Sequence, residues 1–239
     1  MMLRRVVPVG GGELDIEHPD ARRTLLDWYA PHSPEHVRLT LVSTLDGRAA
    51  GGDGTSESLT SSTDRMVLGV IRQHADVVLV GAETVRREGL RRPRRAALAI
   101  VSASGDLTGH RLSVAEGRTS PVLVLTTESG AASAAESVPD AVIEILAIAP
   151  DGRFPAAAII AALQARGLAG IAAEGGPALA AQLLAAELVD ELCLTVMPRL
   201  GGPGLPALGD GAAPITPLAT LHLLVDDEGA QYGRWTLRP

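Results

Sequence analysis

The stretch Ala173-Glu174-Gly175-Gly176-Pro177-Ala178-Leu179 sets a carboxylate against two glycines and a proline. Adjacent glycines let backbone N–H groups come close to a ligand. A helix starting behind them adds unbonded donors and a partial positive charge. The chemistry this favours is the holding of a phosphate or pyrophosphate, although such a turn can also simply join a strand to a helix. Glu174 ends an apolar run, where a carboxylate is costly without partners, so it either accepts hydrogen bonds from a substrate or caps the helix. A second carboxylate, Asp46, closes Ser43-Thr44-Leu45-Asp46-Gly47. It could pair with the amino edge of a ring by charge-assisted hydrogen bonds, or be an ordinary Asp-Gly turn.

The cations are all arginine: the chain has no lysine among its 21 basic residues. Lysine Schiff-base chemistry and a Walker-type phosphate loop are therefore excluded by residue type. Six arginines fall between Arg86 and Arg95, and Arg65 stands apart from them. A guanidinium forks onto a phosphate, while a charge run also serves as a solvated surface. The single cysteine, Cys193, excludes an internal disulfide, and its apolar neighbours make it a buried spacer. Zinc-deaminase chemistry needs paired cysteines, which are absent. The six histidines are scattered, and Pro31 and Pro34 oppose the helix that would bring His32 and His36 together on a metal. A net charge of −7 and five aromatics disfavour a nucleic-acid binder. No apolar run reaches the roughly 20 residues that cross a bilayer, and the N-terminus lacks an apolar signal core. We therefore expect a cytoplasmic protein with a small-molecule ligand, no metal, no nucleic acid and no membrane contact.

These side chains need a frame to position them. The pattern predicts strands at Val37–Val42, Val77–Val80, Ala97–Val101, Val122–Leu125, Val142–Leu146 and Gly170–Ala173. Helices are predicted over Asp20–Tyr29, from a Ser62 or Thr63 cap to about His74, over Phe154–Arg166, and over Pro177–Ala186. The all-apolar Val77–Val80 belongs inside a parallel sheet. Leu192–Val196, Leu218–Val225 and Gln231–Leu237 follow one another without helices, so that end of the sheet should be antiparallel. Gly51 to Ser56 reads as a mobile loop. We divide the chain into a peripheral extension, residues 1–35, and one domain, residues 36–239.

Four motifs in order carry a family resemblance over nearly the whole chain from about Val37. They are Ser43-Thr44-Leu45-Asp46-Gly47, Ala75 to Val85, the Glu174-Gly175-Gly176-Pro177 turn with Leu188-Val189-Asp190-Glu191-Leu192, and the closing Leu221–Leu237 segment. Together they resemble the reductase domain of riboflavin biosynthesis, standing here without a deaminase domain. The resemblance implies an α/β, dihydrofolate-reductase-like fold with a mostly parallel mixed sheet, flanking helices and a C-terminal antiparallel hairpin. It also implies an NADPH-dependent oxidoreductase like the (phosphoribosylamino)uracil reductase. NADPH would lie across Ser43, Thr44, Gly81, Ala82, Thr84, Val85, Gly175, Gly176, Pro177, Ala178 and Leu179. Asp46 and Glu174 would be the catalytic and substrate-orienting carboxylates, with Thr60 and Arg65 also on the substrate. A homodimer is implied as well.

The chain also departs from that family. Arg87-Glu88-Gly89-Leu90 replaces the usual acidic pair and proline after Thr-Val. Thr40 stands where many members have lysine, and the loop before Thr60 lacks the common tryptophan. Two other functions stay open: a dihydrofolate or pterin reductase on the same scaffold, and an NADP-binding protein without turnover.

Overall fold

The computed structural model describes residues 1–113, 120–203, 206–209 and 216–237. In chain order the strands are β1 (Met2–Val7), β2 (Glu13–Asp15), β3 (His36–Thr44), β4 (Val77–Gly81), β5 (Ala97–Val101), β6 (Val122–Thr126), β7 (Val142–Ile145), β8 (Gly170–Ala173), β9 (Glu191–Met197), β10 (Ala219–Asp226) and β11 (Gln231–Thr236). The helices are α1 (Ala21–Trp28), α2 (Ser62–Ile71), α3 (Ala82–Arg87), α4 (Ala131–Ser137), α5 (Ala156–Gln164) and α6 (Pro177–Ala185).

All the described strands join one sheet in the order β2-β1-β10-β11-β9-β3-β8-β4-β5-β6-β7. From β9 to β7 every neighbour runs parallel. From β9 to β2 every pair is antiparallel. This is the mostly parallel mixed sheet with a C-terminal hairpin that the sequence leads one to expect. Central strands such as β4 and β8 are apolar at nearly every position because helices cover both their faces.

Alternation along the strands divides the core. Leu39, Leu79, Ala99, Leu125, Ile171 and Ala173 share one face and pack against Ile159, Ile160 and Leu163 of α5 and Leu179, Ala180 and Leu183 of α6. The other face carries two separate clusters. One joins Cys193, Tyr232 and Ala172 to α1 and α2 through Leu25, Val67 and Ile71. The other joins Val78, Val80, Leu98 and Ile100 to α3 and α4 through Val85 and Ala134.

Residues 1–35 supply β1, β2 and α1. Leu3, Leu25 and Tyr29 are buried, and β1 pairs in register with β10, Leu3 facing Asp226. A buried ionic group ties this region to the sheet. Glu191 accepts hydrogen bonds from Arg38 (2.7 and 2.9 Å) and Arg234 (2.8 and 2.9 Å). Arg234 also donates to the carbonyls of Trp28 and Ala30, each at 2.8 Å, which fixes the end of α1.

Candidate active site

A cleft of about 1240 Å³ opens between α2 and α3, over the gap that separates the two clusters on that face. Thr40 of β3, Thr195 of β9 and Tyr232 of β11 contribute to its lining, as do Glu174, Gly176 and Pro177 at the end of β8. Strand ends of an open α/β sheet are where ligand clefts form, because consecutive turns diverge there.

Two turns are fastened together at its centre. The Gly176 N–H donates to the Thr84 hydroxyl at 3.0 Å, and the Gly81 N–H donates to the Gly175 carbonyl at 3.0 Å. Gly175 has φ +97°, a conformation open to glycine. The Gly175–Gly176 peptide is cis. A Cβ at Gly176 would lie 3.1 Å from Thr84 Oγ1, so a side chain there would press on the contact. Pro177 opens α6, whose N-cap, Gly176, offers no side-chain acceptor to the first turn.

Glu174 has the partner that its burial demands. Arg72 Nε and Nη2 reach its two carboxylate oxygens at 2.6 and 2.5 Å. Burial works to lower the Arg72 pKa, but Glu174 outweighs it and holds the guanidinium above its ordinary value. Sequence reasoning did not name Arg72. Its only signal was a cation just past the last turn of a helix with an apolar face.

Asp64 was missed too. It occupies the first turn of α2 behind the cap residue Ser61, whose hydroxyl accepts the Asp64 N–H at 3.1 Å. The cap is thus Ser61 and not Ser62 or Thr63: its extended backbone turns the hydroxyl onto the helix end. Asp64 is 7% exposed and shares the buried helix face of Val67 and Ile71. Burial raises its carboxyl pKa above the aspartate range, partly opposed by a hydrogen bond with the Thr195 side chain and by Arg65, and reinforced by Glu174.

Of the residues singled out from the sequence, Thr60, Arg65, Thr84, Glu174, Gly176 and Pro177 line this cleft. Arg65 pairs with Glu57 at 2.5 Å. Ser43, Thr44, Asp46, Gly81, Ala82, Val85, Gly175, Ala178 and Leu179 are not among the described lining residues. Val85 and Leu179 sit in the core, and Ala178 is exposed. The Asp46 carboxylate accepts from the Thr44 hydroxyl at 2.7 Å and from the Gly201 N–H at 3.0 Å. Those two bonds, with Arg48 nearby, hold its carboxyl below the usual range on an exposed turn. Asp46 therefore staples the end of β3 to the 199–201 turn, as a plain Asp-Gly turn would.

The arginine run is only partly spent on structure. Arg86 donates to the Asp106 carbonyl at 2.8 Å, Arg87 pairs with Glu83 at 3.0 Å, and buried Arg92 pairs with Asp140 at 2.6 Å. Arg91, Arg94 and Arg95 are exposed along the cleft wall. Glu88, part of the departure noted in the sequence, accepts from the Ser56 N–H and hydroxyl at 3.0 and 3.1 Å. The loop predicted to be mobile, Gly51–Ser56, is thereby tied to the opposite wall. Cys193 touches the cleft, but burial pushes its thiol up to about 11, which suits the spacer role expected of it. Among the described residues no group of histidine, cysteine or carboxylate side chains could hold a metal, and no helix is long and apolar enough to cross a membrane.

The RibD C-terminal domain matches the chain over residues 35–232. The protein belongs to the RibD C-terminal domain family. Among solved structures it is similar to a pyrimidine reductase-like protein from Corynebacterium diphtheriae, at 22% identity and a TM-score of 0.67, covering 86% of this chain and 92% of that one. It is also similar to the Thermotoga maritima diaminohydroxyphosphoribosylaminopyrimidine deaminase/5-amino-6-(5-phosphoribosylamino)uracil reductase, at 20% identity and a TM-score of 0.69. That match covers 85% of this chain but 56% of the longer one. The Saccharomyces cerevisiae riboflavin biosynthesis reductase Rib7 is similar at 18% identity and a TM-score of 0.62, covering 92% of this chain and all of that one (100%). At these identities the likeness speaks for the fold. No curated protein matches the sequence.

Proposed function

We propose that this RibD-family chain is an NADPH-dependent oxidoreductase that reduces a phosphorylated aminopyrimidine of the riboflavin-biosynthetic type. The observation that carries this reading is the fastening of Thr84 to Gly176, which joins two turns at adjacent strand ends into one wall of the cleft. A dinucleotide fits that wall. Gly176 sets no side chain against Thr84, and the positive end of α6 lies behind the turn. Pro177 has no N–H and those of Leu179 and Ala180 bond the Gly176 carbonyl at 3.0 Å, which leaves the Ala178 N–H for an anion. Thr84, Gly176 and Pro177 would hold the cofactor, with Gly81, Ala82, Val85, Gly175, Ala178 and Leu179 shaping the two turns and Ser43 and Thr44 anchoring the end of β3. When bound, NADPH supplies a hydride.

The chain's own residues divide the remaining work. Arg72 orients Glu174 through two hydrogen bonds, so that its oxygens face a substrate N–H as acceptors. Arg91, Arg94 and Arg95, with Arg65 and Thr60 across the cleft, form a cationic rim for the substrate phosphate. The reading includes a cytoplasmic homodimer, which analytical sedimentation measures directly.

The test is the loss of NADPH absorbance with the purified protein, run in parallel on the phosphoribosylaminopyrimidine and on dihydrofolate. Turnover on the first supports the proposal. Turnover on dihydrofolate alone makes the protein a pterin reductase, and tight NADPH binding with no turnover makes it a cofactor-binding protein.

A further inference from the structure

Reducing a carbon–nitrogen double bond requires a proton at nitrogen as well as a hydride at carbon. The described groups that line this cleft restrict where that proton can come from. The chain has no lysine, and Thr40 is one of the β3 residues that line the cleft. The Thr40 hydroxyl is buried without a hydrogen-bond partner, so the position offers a dipole but no titrating group. No histidine is among the described lining residues. Both oxygens of Glu174 are held by Arg72, and both oxygens of Glu88 accept from Ser56. Glu57 and Glu83 are exposed and paired with Arg65 and Arg87. Burial carries the Tyr29 and Tyr232 phenols above their ordinary range, and Tyr232 donates its proton to Asp226 at 2.8 Å.

We propose that Asp64, held by Thr195 against the sheet, delivers the proton to the reacting nitrogen of the substrate. The assignment rests on the reductase reading above. As the substrate C=N takes hydride at carbon, its π pair moves to nitrogen. That pair takes the hydrogen of the Asp64 carboxyl: the O–H bond breaks, an N–H bond forms, and water then reprotonates the carboxylate. The two electrons come from the dihydronicotinamide.

The placement suits this role on three counts. The carboxyl is 7% exposed, so it is shielded from bulk water while lining the cleft. Its helix face is packed by Val67 and Ile71, and the Thr195 hydrogen bond orients it. Its surroundings favour the acid form at neutral pH more than water does. Burial is the largest influence and Glu174 adds to it. Arg65 and the Thr195 bond oppose it. The other titrating groups around it are Arg72 just past the end of its own helix, Cys193 on β9, Tyr29 just past the end of α1 and Tyr232 on β11.

The test has one reading without cofactor and one with it. Isotope-edited infrared spectroscopy of the cofactor-free protein should show a protonated aspartate band at neutral pH that Asp64→Asn removes. A spectrum without that band in the wild type overturns the proposal. In turnover, Asp64→Asn should lower kcat by about 100-fold or more with NADPH affinity unchanged. The wild-type rate should fall on an alkaline limb that this variant lacks. Retention of near wild-type kcat with the limb in place overturns the proposal while leaving the reductase reading intact. An inert wild type overturns both. Thr195→Val serves as the second variant: loss of a hydrogen bond that lowers the Asp64 pKa should move the alkaline limb upward, and an unmoved limb counts against the assignment.

Discussion

Arg72 and Glu174 lie 102 residues apart in sequence, yet two guanidinium nitrogens meet two carboxylate oxygens at 2.5 and 2.6 Å where α2 faces the end of β8. Neither side chain is well exposed, at 18% and 8%. Removing one partner leaves the other charge buried without compensation. We expect Arg72→Met to cost about 3–5 kcal/mol in urea unfolding. Glu174→Gln should cost less, because the amide still accepts from Arg72. Equal losses for the two variants would show that packing, not the charge pair, sets the cost.

The Thr84–Gly176 contact makes a prediction about cofactor. Gly176→Asp should abolish NADPH binding, by crowding the turn and setting a negative charge against the pyrophosphate. Thr84→Val should weaken binding by roughly tenfold, the worth of about one hydrogen bond. Fluorescence titration with NADPH reads both, and unchanged affinity in Gly176→Asp would remove this turn from the site.

The Arg38–Glu191–Arg234 group should show in acid stability. Burial alone would raise the Glu191 pKa, but its bonds to Arg234 and Arg38 overcome that and hold the carboxyl below the usual range. A depressed pKa contributes stability that is present above the unfolded value and lost as pH falls through the native one. Glu191→Gln should therefore destabilise the protein by about 3–5 kcal/mol at neutral pH, and by progressively less as the wild type is acidified. Urea midpoints measured across pH give the comparison.

His222 adds a second acid sensitivity by another route. Its ring meets Tyr29 edge-on at 4.6 Å, and burial with Arg234, Arg5 and Arg38 pushes its pKa down to about 3. The unfolded chain then binds a proton near the ordinary histidine value of 6.5 that the native state refuses. Stability is thus fully present above that value and falls as pH drops toward about 3, by up to about 1.4 kcal/mol per unit. His222→Phe keeps a ring against Tyr29 and should flatten this slope. A slope unchanged in the variant would place the acid sensitivity elsewhere.

Legibility in the sequence followed the range of the interactions. β5 and β8 were read at their observed bounds, because apolar runs closed by turns are local signals. The Glu174-Gly175-Gly176-Pro177 turn was legible for the same reason, since glycine and proline act on the backbone where they stand. β1 was not, because its partner β10 lies more than two hundred residues away. Arg72 could not be matched to Glu174 across 102 residues. Asp64 left a faint trace: a carboxylate at the position that, with Val67 and Ile71, should be apolar. Asp46 shows the opposite case. Its motif is plain, yet the bonds from Thr44 and Gly201 to its Oδ1 are contacts that only the folded chain reveals.

The register of β1 against β10 also bears on synthesis at the ribosome. Leu3 faces Asp226, so β1 must wait for β10, more than two hundred residues later, before it finds its main neighbour. At about 5–20 residues per second that delay is roughly 10–45 s. During it the β1–β2 hairpin has an open edge, and two-stranded hairpins are marginal in water. The parallel half, β3 through β8, leaves the tunnel earlier with both its helical layers. Assembly should therefore begin there, with β1 and β2 among the last strands to settle.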